Sequence, residues 1–162
     1  MNLFWGLGWE AVPEHLSSRS RLEEVQIVIG CVDSATARGI IRDWTSGDSR
    51  VHYWIDLGNK SDGGQFVLGE TLNGRNRRSA ARLRTVAELF PEVVDAQLRD
   101  EEPSCSAAEA LERQEPFVNP TLANHALALL ARLFRYGRIS YQGGFVSLAA
   151  TTRVQPLPID PE

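Results

Sequence analysis

Residues Val25-Gln26-Ile27-Val28-Ile29-Gly30-Cys31-Val32 form a nearly continuous β-branched apolar stretch. A run of this kind reads as a strand covered on both faces in a parallel sheet. Two helix-capping residue types, Asp33 and Ser34, follow it, and Ala37, Ile40, Ile41 and Trp44 then recur at helical spacing until Ser46-Gly47-Asp48-Ser49 breaks the pattern. Strand into helix is the reading. Beyond the break, 51–57 predicts a second strand, 58–64 a turn-rich loop and 65–70 a short strand able to pair back as a hairpin.

Residues 71–104 hold no apolar strand and one short helical pattern at 86–98, and they read as a long crossing segment. Ser104 or Ser106 caps a short helix through Glu112, and Asn119-Pro120 opens the best helix of the chain. Leu122, Ala126, Leu129, Leu130, Leu133 and Phe134 make its apolar face and Gly137 its stop. Two strands, 139–148 and 152–157, follow. At the other end, Asn2-Leu3-Phe4-Trp5 before Gly6 looks like the last turn of an apolar helix, so the start is expected to be cut; 9–16 reads as a short strand and 17–24 as a polar connection.

Length narrows the architecture to one domain or a large piece of one, since 162 residues bury a single sizeable core. The alternation of strand and helix makes it α/β, with parallel strands and helices and then a mixed or antiparallel extension. A formal net charge of −4 argues against a chain built to neutralise a phosphate backbone, so nucleic acid is not expected as a partner. No apolar stretch approaches bilayer-spanning length and no leader pattern follows Met1, which excludes a membrane partner and makes a cytoplasmic location the expectation. Cys31 and Cys105 are the only cysteines, too few for a disulfide framework or for a zinc site of paired CxxC ligands, and His15, His52 and His125 are widely scattered. Lys60 is the only lysine.

Four features carry candidate chemistry. Asp33 stands where a buried parallel strand hands over to a helix, the place where open α/β sheets put ligands; it reads either as a ligand-facing carboxylate or as the cap of the following helix. Arg38, five residues on, reads either as an anion contact or as part of a solvated helix face. Cys105, in Pro103-Ser104-Cys105-Ser106 at the start of a helix, is placed where terminal N–H groups favour a thiolate, against the reading of a small residue half-buried in a loop. Cys31, in the middle of the apolar strand, is expected to be inert core. The arginines at 75, 77, 78, 82 and 84 suit a phosphate or an acidic protein partner, or else a solvated, mobile loop. Gly6-Leu7-Gly8-Trp9-Glu10-Ala11 matches G-x-G-x-x-A, but that motif works only between a strand and a helix, which five residues cannot supply.

Ile29-Gly30-Cys31-Val32-Asp33-Ser34-Ala35-Thr36-Ala37-Arg38 resembles the signature of the ThiF/MoeB/HesA superfamily, in which an apolar strand ends in D-[NS]-x-x-A-R. The likeness continues through Tyr53-Trp54-Ile55-Asp56-Leu57-Gly58, Gly64-Gln65-Phe66-Val67-Leu68-Gly69, Pro103-Ser104-Cys105-Ser106 and the 119–136 helix, and so covers nearly the whole chain. Residues 103–114 and 133–146 are most similar to the ThiF family of the plasmid-borne PRTRC gene system.

The resemblance implies a Rossmann-like adenylating domain, of which residues 1–162 match the C-terminal portion, and ATP-dependent adenylation of the C-terminus of a ubiquitin-like or sulfur-carrier protein. It implies that Asp33 meets the ATP phosphates and holds magnesium, with Arg38 beside it, and that Cys105 takes the activated C-terminus as a thioester. The family's Gly-rich phosphate loop matches nothing here, and neither do its paired zinc cysteines. Two alternatives therefore stand: a truncated or split portion of an activating enzyme, or a non-catalytic pseudo-subunit or binding module that pairs with a complete homologue. An open sheet edge makes self-association the expectation, as a homo- or heterodimer.

Overall fold

The computed structural model describes residues 6–17, 24–95 and 115–159. Five strands form one mixed sheet in the order β1 (Ile27–Gly30), β2 (Tyr53–Asn59), β3 (Gly63–Glu70), β4 (Tyr141–Ser147), β5 (Arg153–Pro158). The β1–β2 pair is parallel, Ile27 opposite Tyr53 and Gly30 opposite Asp56, and every later pair is antiparallel. Two parallel strands with a helix between them, followed by an antiparallel extension, match the expected order, and the antiparallel extension is the larger part of the sheet.

Between β1 and β2 runs helix α1 (Ala35–Trp44). Its N-cap is Ser34, whose Oγ accepts from the Ala37 N–H at 3.1 Å, which removes the capping role considered for Asp33. Gly30 is needed at the end of β1, because a Cβ there would sit 2.9 Å from Trp54 Nε1 and 3.5 Å from Ile41 Cδ1. The β2–β3 hairpin is tighter than the predicted seven-residue loop: pairing continues to Asn59 opposite Gly64, leaving Lys60, Ser61 and Asp62 as the turn.

The period of two along β2 sorts its side chains between two layers. Ile55, with Tyr53 and Leu57 at its margins, joins Phe66, Leu68 and Val146 under helix α3 (Val118–Tyr136), whose Val118, Leu122, Ala126, Leu129 and Leu130 complete that core. Trp54 points the other way and joins Val67, Ile41, Val86, Ala87 and Val93 under α1, the short helix α2 (Val86–Leu89) and the 3-10 turn Pro91–Val94. The helical pattern expected at 86–98 is broken at Phe90-Pro91, since proline at the first position of the 3-10 turn has no N–H to continue the ladder; residues 96–98 lie outside the described residues, as does the helix expected from Ser104 or Ser106. Gly137, at φ 64°, stops α3 as predicted.

Three expectations fail among the described residues. No strand forms at 9–16, where Pro13 interrupts an exposed, irregular segment. β1 is not covered on both faces: it is an edge strand among the described residues, and Ile29 is 51% exposed, because α3 rests on β2, β3 and β4 and stops short of β1. Phe134, predicted as core, is 64% exposed on the flank of α3. At the opposite edge β5 carries Pro156 and Pro158, which cannot donate to a further strand.

Candidate functional site

Parallel pairing brings the carboxyl ends of β1 and β2 to the same end of the sheet, and the start of α3 lies beside them. The gap between them is a depression of about 300 Å3 lined by Cys31, Val32, Asp33, Leu57, Gly58, Asn59, Asn119, Leu122 and Ala123. Carboxyl ends of strands are where α/β sheets receive ligands, because the chain turns away there and leaves a crevice. Asp33 opens onto this depression as an exposed side chain. Asn59 Nδ2 donates to Asn119 Oδ1 at 2.8 Å across its rim, tying the end of β2 to the first turn of α3. The wall is otherwise mainly aliphatic, so the arrangement suits a ligand with a polar end held by Asp33 and the two carboxamides and a less polar body against Leu57, Leu122 and Ala123.

Arg38 is not on a solvated helix face; it is 4% exposed, on the buried side of α1. Its Nε donates to both Asp56 oxygens, at 3.1 and 3.2 Å, and its Nη2 to the Leu57 carbonyl at 3.4 Å. Arg38 therefore clamps the last residues of β2 from behind and does not belong to the lining of the depression. Asp56 is fully buried, and that burial pushes its carboxyl above the ordinary range even though the Arg38 charge and hydrogen bond pull it down. A buried carboxylate of this kind is tolerable only because it is paired and hydrogen-bonded.

Cys31 is the second correction. It lies one residue past β1, exposed and in the wall of the depression, instead of in the core. Partial desolvation there, with the Asp56 carboxylate nearby, pushes its thiol above the ordinary range, the direction opposite to an activated thiolate. Cys105, the nucleophile suggested by motif, lies outside the described residues, as does the whole 96–114 segment that carries it.

Three of these residues were not singled out from sequence. Asp56 had a visible signal, a lone acid inside Trp54-Ile55-Asp56-Leu57, where a strand otherwise alternates between two apolar layers. Asn59 and Asn119 had none, being 60 positions apart and joined only by the fold. The Gly6 to Ala11 motif lies in the exposed irregular segment with no strand before it and no helix after it among the described residues.

Among the described residues no group of three or more His, Cys, Asp or Glu side chains converges as a metal cage. The donor set therefore fits a resident ion poorly, but fits magnesium in its nucleotide-bound mode, where one or two protein carboxylates supplement phosphate oxygens and water. Asp33 is the one carboxylate in the lining of the depression. Compared with protein-family models and with curated proteins, the chain matches none.

Proposed function

We propose that this chain serves ATP-dependent adenylation of the C-terminus of a ubiquitin-like or sulfur-carrier protein, as one portion of the activating enzyme. The observation that carries the reading is the position of Asp33, at the carboxyl end of a parallel strand and open to a depression beside the ends of β1 and β2. It agrees with the role that the signature around Asp33 implies. In this reading Asp33 meets magnesium carried on the nucleotide phosphates, Asn59 and Asn119 orient the polar end of the ligand, and the Arg38–Asp56 pair keeps the end of β2 in place behind them. Magnesium would neutralise charge on the phosphates as the partner's carboxylate attacks. Cys105 is the proposed acceptor of the activated acyl group, with its proton lost before attack and adenylate as the leaving group.

One observation favours the second reading, a pseudo-subunit that binds and does not catalyse. The depression is lined by no Lys or Arg, because Arg38 is spent on Asp56, so a triphosphate would need cations from another polypeptide or from residues outside those described. ATP–pyrophosphate exchange separates the two readings. In a preparation that exchanges, alone or with a complete homologue, Asp33→Ala abolishes exchange under the first reading. Exchange that survives in Asp33→Ala refutes the role of Asp33. Binding of the homologue without any dependence of exchange on this chain establishes the second.

A further inference from the structure

The turn that follows β3 carries a second surface, about 20 Å from the depression, since the seven residues of β2 separate the two ends of the sheet. Residues 71–87 contain five arginines and no acid in a chain whose net charge is −4. Arg75, Arg77 and Arg78 are all exposed, around the partly exposed Leu72, and among the described residues none of the three ends on a carboxylate. Glu70, the nearest acid in sequence, is turned onto the Leu83 N–H at 2.9 Å, and Arg82 is committed to Glu88.

The turn is pinned in place. Asn73 is 2% exposed, and its Nδ2 donates to the Val51 carbonyl at 2.7 Å and lies 3.2 Å from His52 Nδ1, while its Oδ1 accepts from the N–H groups of Arg75 and Asn76 at 3.0 and 2.7 Å. Asn76 Nδ2 donates to the His52 carbonyl at 2.8 Å, and Gly74 N–H to the Gly47 carbonyl at 2.7 Å. A charged loop that only needs solvation has no use for a buried anchor. A loop that must present guanidinium groups does, because its ordering is completed on folding and is not lost again on association.

We infer that Arg75, Arg77 and Arg78, with Leu72 at their centre, form a docking platform for an acidic segment of a protein partner. Complementary charge selects that occupant: three planar guanidinium forks pair with carboxylates in two-point fashion, and an exposed leucine gives them an apolar centre. The net negative charge of the rest of the chain repels a continuous phosphate backbone, which makes nucleic acid the disfavoured occupant.

The test uses the full chain and a fluorescein-labelled decaglutamate peptide, followed by anisotropy at low salt. The peptide should bind, lose affinity as salt is raised, and bind about tenfold more weakly to Arg77→Glu/Arg78→Glu. An equal charge change elsewhere, Arg132→Glu/Arg138→Glu on and just beyond α3, should leave binding within about twofold if the platform is local. All four arginines are exposed, and matching far-ultraviolet circular dichroism checks that the variants fold. Absence of peptide binding, or equal loss in both double variants, overturns the platform. Tighter binding of a labelled oligothymidylate than of the peptide also overturns it, in favour of a nucleic-acid surface.

Discussion

Replacing Arg38 with methionine leaves the Asp56 carboxylate buried with no cation beside it. The structure sets the scale: Asp56 is fully buried, and Arg38 supplies the guanidinium that bonds both of its oxygens. Removing one partner of such a pair costs about 3–5 kcal/mol, because the remaining ion is desolvated without compensation. For a chain of this size that lowers the melting temperature by about 6–20 °C. Replacing both members, Arg38→Met/Asp56→Leu, removes the stranded charge along with the pair and should recover most of the loss, giving a large coupling in the double-mutant cycle.

The deficit of Arg38→Met should also depend on pH in a defined direction. Burial already raises the Asp56 carboxyl above its ordinary range in the folded protein, and loss of Arg38 raises it further. An acid with a raised folded pKa contributes most below its unfolded pKa, and the contribution is lost as pH rises through the folded value. The variant should therefore approach the wild type as pH falls towards the carboxylate range and fall furthest behind at neutral pH. Urea titrations at a series of pH values measure this. A deficit that is small at neutral pH, or that does not shrink on acidification, would refute the argument that Asp56 is an ion held in place by Arg38.

The remaining expectations follow from single contacts. Ser34→Ala removes the side-chain cap of α1 and should cost about 0.5–2 kcal/mol in urea denaturation, whereas Asp33→Ala, exposed and not the cap, should stay within about 0.5 kcal/mol. Gly143→Ala would drive a Cβ into the Phe66 carbonyl and to 3.0 Å from Val67 Cα, so it should split β3 from β4 and abolish slow amide exchange there; retained protection would show the pairing is looser than described. In a Cys105→Ser background, alkylation of Cys31 by iodoacetamide should accelerate only above the ordinary thiol range, and Asp56→Asn should move that acceleration to lower pH; a fast rate at neutral pH contradicts the placement of Cys31.

Much of the fold was legible because the relevant forces are local. Ser34 before an apolar period of helical spacing, Gly137 after another, and two apolar runs separated by a short polar stretch each specify an element by contacts within a few residues. The place of Asp33 at the carboxyl end of β1 was legible for the same reason, since a residue just after an apolar strand stands at the end of whatever sheet that strand joins. The pairings of residues remote in the chain were not: Arg38 with Asp56, 18 positions apart, and Asn59 with Asn119 meet only once α1 and α3 are laid on the sheet.

The sequence by itself determined β1, α1, the β2–β3 hairpin, α3 and the two last strands, and the candidacy of Asp33, because periodicity and capping are properties of neighbouring residues. Tertiary structure alone decided that β1 is an edge among the described residues, that Ile29 and Cys31 are exposed, that Arg38 is a buried clamp and that the arginine turn rests on Asn73. An apolar residue states a preference for burial but not whether another layer arrives to bury it. That depends on where α1 and α3 come to lie: α3 covers β2 to β4, and its reach ends one strand short of β1.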